Sequence, residues 1–330
     1  MERLGILLTG LILDRLVGDP PALWKRVSHP VVVIGWAMDG LDRRLNRPDF
    51  TPETRRRAGF FALGLLLLGA LILGNFVAAL ADAFGFVGMV VEALIVAVFL
   101  AQKSLVDHVR AVATALRTGG LPAGRQAVSQ IVGRDPEGLD ASGVVRAALE
   151  SLAENASDGV IAPVLWYLVF GLPGLLAYKV VNTADSMIGH MNSRYSDFGY
   201  ASAKLDDLMN FIPARATAVL FAAASTLVRI MGQGRPPGFR ETMAVSRRDA
   251  PKHRSPNAGW PEVAMAVGLD VSLGGPRRYG ELIVDAPLLN PAGRRDLTPD
   301  DLDRAIAAFD RAMAIVTALI ALAMILAIQS

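Results

Sequence analysis

The sequence predicts an all-α, polytopic integral membrane protein, with about four to six membrane helices and a polar site at their cytoplasmic side. Three observations predict it. Hydrophobic residues make up 52% of the chain and charged ones 19%, with a mean hydropathy of +0.39, and the apolar residues gather in a few long runs. Polar stretches rich in Arg, Pro and Gly separate the runs. One run is broken by glycine and proline and carries acids at both ends.

Each run follows in order. Met1–Leu13 is short for a span and reads as a first membrane helix; Asp14, Arg15 and Asp19 follow it with no small-residue cleavage site. Ala58–Leu80 is uncharged and long enough to cross a bilayer. Phe86–Ala101 carries only Glu92, and the link Ala81–Gly85 has no Lys or Arg, so the two runs predict a helical hairpin. Arg55, Arg56 and Arg57 before it, and the loop after Lys103, place both its ends in the cytoplasm. Gln102–Asp158 reads as a long polar stretch, helical by its periodicity over Ala141–Ala153.

Val160–Val181 is apolar but interrupted at Gly171-Leu-Pro-Gly174. Two half-helices meeting there would return the chain to the side it came from. Irregular backbone at that depth must be buried in protein or line a cavity. Ile212–Met231 and Ala312–Ile328 predict two further helices. The whole chain, 1–330, reads as one membrane domain, with 232–303 an extramembrane insertion that carries part of the site.

Composition excludes several chemistries. With no cysteine there is no disulfide, thiolate metal site or cysteine nucleophile, and four histidines are too few for a histidine-rich zinc site. A net charge of +2 gives no case for nucleic acid. No P-loop, dinucleotide fingerprint or G-x-S-x-G elbow occurs.

Three acidic clusters flank the interrupted run. Glu154-Asn155-Ala-Ser-Asp158 puts two acids at i,i+4. Asn182-Thr-Ala-Asp185 pairs amide and acid at i,i+3. Lys204-Leu-Asp206-Asp207-Leu-Met-Asn210 repeats the theme before Arg215. Buried acids need a partner or a metal, and Mg²⁺ is commonly held by one or two carboxylates together with substrate phosphates. One such cluster reads equally well as helix capping; three between Glu154 and Asn210 favour a Mg²⁺–phosphate site.

A fourth feature, Asp249 to Glu262, packs Lys252, His253, Arg254 and Asn257 into a proline-punctuated loop. It offers phosphate donors and a proton-transfer group, or else a basic loop drawn to anionic lipid. Leu273–Gly280 offers a weak anion-nest signal. Asp14–Pro21 with His29-Pro30 reads most simply as a helix stop.

In order along the chain run D-x-x-x-G-D-P (Asp14–Pro20), H-P-V (His29–Val31), E-N-x-S-D-G (Glu154–Gly159) and N-T-x-D-S-M-x-G (Asn182–Gly189). F-G-x-A-S-A-K-L-D-D-x-x-N-x-I-P-A-R (Phe198–Arg215), R-D-A-x-x-H-x-S-P-N-A-G-W-P-E (Arg248–Glu262) and L-G-G-P-x-x-Y-G (Leu273–Gly280) complete the series. In these strings the chain resembles the CobD/CbiB family, the adenosylcobinamide-phosphate synthases of cobalamin biosynthesis. The resemblance implies a multi-pass enzyme of the inner membrane that uses ATP and Mg²⁺. It would join adenosylcobyric acid, a corrinoid, to aminopropanol or its phosphate through an amide. Other membrane enzymes of that pathway are candidate partners beside the lipid bilayer.

Combined with residue chemistry, that expectation assigns Glu154, Asp158, Asp185, Asp206 and Asp207 to the metal. Asn155, Asn182, Asn210, Arg215, Arg254 and Asn257 would bind the nucleotide and its phosphates, and His253, Lys252 and Lys204 are the catalytic candidates, His253 as general base. Two rivals share the broken helix and acidic ends: a Mg²⁺-dependent prenyl- or phosphotransferase, and a transporter.

Overall fold

The computed structural model describes residues 1–133, 135–190, 192–232, 236–275, 277–279, 282–284 and 286–329. Part of the 232–303 insertion and two residues of the Leu273–Gly280 string, Pro276 and Gly280, lie outside them. The helices are α1 (Glu2–Leu16), α2 (Pro21–Trp24), α3 (Pro30–Leu45), α4 (Pro52–Ala83), α5 (Phe86–Phe99) and α6 (Gln102–Val128). There follow α7 (Ala141–Ala156), a π turn (Ser157–Ile161), α8 (Ala162–Ile188), α9 (Tyr200–Met209) and α10 (Phe211–Ile230). Then come α11 (Phe239–Asp249), α12 (Gly259–Leu269) and α13 (Pro299–Gln329). Two small antiparallel ribbons complete the described fold, β1 (Leu273–Gly274) with β4 (Leu288–Leu289) and β2 (Arg277–Tyr279) with β3 (Leu282–Val284).

Among the described residues, five helical stretches are long and apolar enough to cross a membrane: Pro52–Ala83, Phe86–Val128, Ala141–Ile188, Phe211–Ile230 and Pro299–Gln329. The chain is a multi-pass membrane protein. The predicted runs lie inside these stretches to within one residue, except Met1–Leu13. That run is helical in α1, but at 15 residues α1 falls short of a span.

The Gln102–Asp158 stretch differs from its reading as polar connection. Most of it is helix, because Val106, Val109, Val112 and Ala113 recur at helical spacing and bury one face of α6. α6 itself breaks at Gly120, where φ is 67°, just before Pro122.

Capping sets several helix starts. Thr51 Oγ1 accepts the Thr54 N–H at 3.2 Å, with Pro52 at the first helical position of α4. Asp140 Oδ1 accepts the Gly143 N–H at 2.6 Å and starts α7.

The chain divides into two compact units. The first comprises Met1–Ala101, Ala162–Asn210 and Ala323–Ser330. In it α8 packs on α4, α9, α3, α1 and α5, and α1 lies along α5. The second comprises Gln102–Ile161 and Phe211–Leu322. There α12, buried nearly all round, packs on α10, α11 and α7, and α10 touches the π turn.

The break expected in Val160–Val181 is present. Gly171 sits at φ 67° and ψ −155° inside α8, a conformation that disfavours any residue with a Cβ. Pro173 has no N–H to offer the Val169 carbonyl four residues back. Arg3 of α1 takes up the slack: its guanidinium donates to the Leu168 and Val169 carbonyls, each at 3.2 Å.

Candidate active site

In the first unit, the second half of α8 presents Tyr178, Asn182 and Asp185 at helical spacing, and α9 presents Asp206 and Asn210. Asp206 is the centre of the group. Its Oδ2 accepts from Asn210 Nδ2 at 2.9 Å and its Oδ1 from Asn182 Nδ2 at 3.3 Å. Tyr178, fully buried, donates its hydroxyl to Asn210 Oδ1 at 2.9 Å, which turns the amide N–H toward Asp206. Asp206 is 9% exposed and Asn210 1%.

α9 is not one of the candidate spans, and its carboxylates are perturbed. Burial, followed by the nearby Asp185 charge, pushes the Asp206 carboxyl up to about 7, against the pull of the two asparagine hydrogen bonds. Burial also raises Asp207, which Lys204 offsets from 3.8 Å. Asp185 owes its space to Gly189: a Cβ there would sit 1.9 Å from the Asp185 Oδ1. That explains the glycine closing N-T-x-D-S-M-x-G.

The second unit holds the other predicted residues. Glu154 is exposed, Asn155 and Asp158 are half-buried, and Asp158 sits in the π turn. Such turns recur at functional sites because they re-aim side chains within a helix. Asn155 is held locally, its Nδ2 donating to the Ser151 carbonyl at 2.9 Å.

Arg215 of α10 donates to Asn257 Oδ1 at 3.2 Å, and its guanidinium lies 3.5 Å from the Phe211 ring centre and 4.8 Å from that of Trp260. Lys252 pairs with Asp249 at 2.6 Å, and Arg248 pairs with the same carboxylate at 2.7 Å. The Arg248 hydrogen bond, helped by Lys252, holds the Asp249 carboxyl down at about 2. Asp249 also accepts the Asn290 N–H at 3.2 Å, so it braces the loop.

His253 Nδ1 accepts the Ser255 N–H at 3.0 Å, and its Nε2 lies 3.6 Å from Oε1 of buried Glu262. A neutral ring bonded this way carries its proton on Nε2, facing the carboxylate. Arg254 is exposed.

The structure thus gathers Asn182, Asp185, Asp206 and Asn210 in one unit, with Asp207 and Lys204 alongside. It gathers Arg215 with Asn257, and Lys252 and His253 each with an acid, in the other. Sequence reasoning missed Tyr178, which lay hidden inside an apolar run although it is i−4 from Asn182. It also missed Asp249 and Glu262 as the partners of Lys252 and His253; both stood in the quoted loop string.

Among the described residues, no three His, Cys, Asp or Glu side chains gather into a metal cage. The donor set still fits Mg²⁺, which commonly takes one or two carboxylates and completes its shell with water and phosphate oxygen. Asp206, raised by burial and by the nearby Asp185 charge and bonded to two amides, belongs to such a set.

The CobD/Cbib protein family matches residues 7–309. The chain belongs to the CobD/CbiB family. The "Cobalamin biosynthesis protein CobD" of Brucella suis biovar 1 (strain 1330) is 51% identical over 318 residues, 96% of each chain. The protein of the same name from Sinorhizobium fredii is 53% identical over 307 residues, covering 93% of this chain and 92% of that one. That of Rhodobacter capsulatus is 45% identical over 326 residues, 99% of each. No solved structure matches the chain.

Proposed function

We propose that this CobD/CbiB family member is an ATP- and Mg²⁺-dependent amide ligase of cobalamin biosynthesis. It joins the carboxylate of adenosylcobyric acid to the amine of aminopropanol or its phosphate, at the cytoplasmic face of the inner membrane. Near-full-length relatives named for cobalamin biosynthesis support the pathway. The single observation that supports the chemistry is Asp206, buried beside Asp185 and held by two asparagines.

A carboxylate is a poor acyl donor, and phosphorylation by ATP makes it a good one. Bound Mg²⁺ would neutralise phosphoryl charge as the γ-phosphate transfers. Asp185 and Asp206 would hold it, with Asn182 and Asn210 fixing the Asp206 carboxylate. Glu154, Asp158 and Asp207 are the further acids assigned to metal and nucleotide, with Asn155 orienting the first two. Arg215, Arg254, Lys204 and Lys252 are the cations assigned to phosphate, Lys252 on release from Asp249.

The amine attacks the activated carbonyl, phosphate leaves, and the nitrogen sheds a proton. His253 is the proposed base. Its Nδ1 faces both the Ser255 N–H, at 3.0 Å, and the Ser255 carbonyl, at 3.3 Å, so a protonated ring exchanges one bond for the other. Glu262 beside Nε2 would stabilise the imidazolium. The test is formation of the amide by purified protein from adenosylcobyric acid, aminopropanol phosphate, ATP and Mg²⁺. Product that forms equally without ATP would refute the reading.

A further inference from the structure

Within the second unit a cavity of about 740 Å³ opens between α10, α12 and α13. None of the residues assigned above lines it. One wall is apolar, with Phe221 and Val228 of α10. The other carries four charges: Arg304, Arg311 and Asp303 from α13, and Asp270 from the end of α12.

Two of those charges are engaged within the protein. Asp303 accepts from Arg117 at 2.6 Å, and Arg304 pairs with Asp301. Among the described residues, the Arg311 and Asp270 side chains make no hydrogen bond or ion pair. The cavity therefore presents one uncommitted cation and one uncommitted anion.

Asp270 sits at φ 56° and ψ 46°, where it ends α12. Glycine is the unstrained residue for that position. Aspartate, with asparagine, is among the few other residues that take left-handed backbone readily, and here it lines the cavity.

The surroundings fix the depth. Arg304 and Arg311 stand on α13 just before its apolar run, whose Leu319, Leu322 and Ile325 are exposed. On α10, Leu227 and Ile230 beside Val228 are exposed as well. Both helices are long and apolar enough to cross a membrane, so a cavity at the junction of their apolar and polar surface suits headgroup level.

A ligand suited to this site carries a phosphate, a primary ammonium and an apolar stem. We propose that the cavity binds the headgroup of an aminophospholipid, phosphatidylethanolamine. The phosphate sits at Arg311 with Arg304 beside it, and the ammonium at Asp270 with Asp303 beside it. The first methylenes of the acyl chains lie over Phe221 and Val228. Phosphatidylcholine offers Asp270 no N–H, phosphatidylglycerol offers it no cation, and free phosphoethanolamine has no stem for the apolar wall.

The test is native mass spectrometry of the delipidated full chain with equimolar phosphatidylethanolamine, phosphatidylcholine and phosphatidylglycerol. We expect phosphatidylethanolamine enriched about tenfold over the other two, a difference one specific ion pair can supply. Asp270→Asn and Arg311→Gln should each abolish the enrichment. Asparagine tolerates left-handed backbone, so Asp270→Asn keeps the fold, which its thermal midpoint will report. Three results would overturn the proposal. They are equal retention of all three lipids, enrichment unchanged in both variants, and thermal stabilisation by free phosphoethanolamine equal to that by the lipid.

Discussion

Asp206 cannot hold a proton and a metal ion on the same oxygen, so Mg²⁺ and H⁺ compete for it. The competition is measurable because the carboxyl titrates at about 7, raised by its burial and by Asp185. At about pH 6 roughly one Asp206 in ten is ionised, and at about pH 8 roughly nine in ten. The apparent Mg²⁺ affinity should therefore rise about tenfold over that interval, with up to about one proton released per ion bound at the lower pH. Isothermal titration calorimetry of the detergent-solubilised protein, in two buffers of different ionisation enthalpy, reads both quantities. Asp206→Asn removes the titrating group and should bind weakly with no slope. A Mg²⁺ affinity equal at both pH values, or the same slope in Asp206→Asn, would refute the reasoning.

Three further outcomes follow. Asp249 is fully buried and its carboxyl titrates at about 2, against 3.8 for an ordinary aspartate. That gap corresponds to about 2.5 kcal/mol, and the exposure of Arg248 and Lys252 discounts it to roughly 1–2 kcal/mol. Because the folded value is the lower one, this stability is present above about pH 4 and lost as the pH falls toward 2. Asp249→Asn should lower the thermal midpoint at neutral pH and flatten that acid dependence. Gly171→Ala forces a Cβ into left-handed backbone 3.3 Å from the Arg3 guanidinium; we expect a loss of about 1–2 kcal/mol in denaturant titration, and a silent change would argue against the break. The chain has no cysteine, so Ser186→Cys gives one clean probe. It should label with an impermeant maleimide in inverted membrane vesicles; labelling only from outside intact cells would contradict a cytoplasmic site.

Much of the fold was legible because its cues are local. Long apolar runs with few or no charges announced α4, α5, α10 and the apolar half of α13. Gly171-Leu-Pro-Gly174 announced the break in α8, since glycine permits the φ and proline removes the N–H. α6 was missed because its buried face is a thin valine stripe in a polar background. The π turn at Ser157–Ile161 has no composition that distinguishes it from α-helix. The candidate site was legible as residue types but not as pairings. Asn182 and Asp206 are 24 residues apart and meet only because α9 packs on α8. The fold pairs Lys252, a phosphate donor by residue type, with Asp249, and gives Tyr178, unmarked inside an apolar run, its bond to Asn210. The two units are each assembled from separated segments, which no boundary signal in the sequence marks.

The central claim is that this chain activates a carboxylate with ATP and passes it to an amine. The most direct measurement starts from adenosylcobyric acid labelled with ¹⁸O in its free carboxylate. Purified protein would be given that substrate with aminopropanol phosphate, ATP and Mg²⁺, and all products weighed by mass spectrometry. The account predicts the amide, ADP, and one ¹⁸O in the phosphate released. An amide formed with no label in the phosphate, or no amide from folded protein, would contradict it.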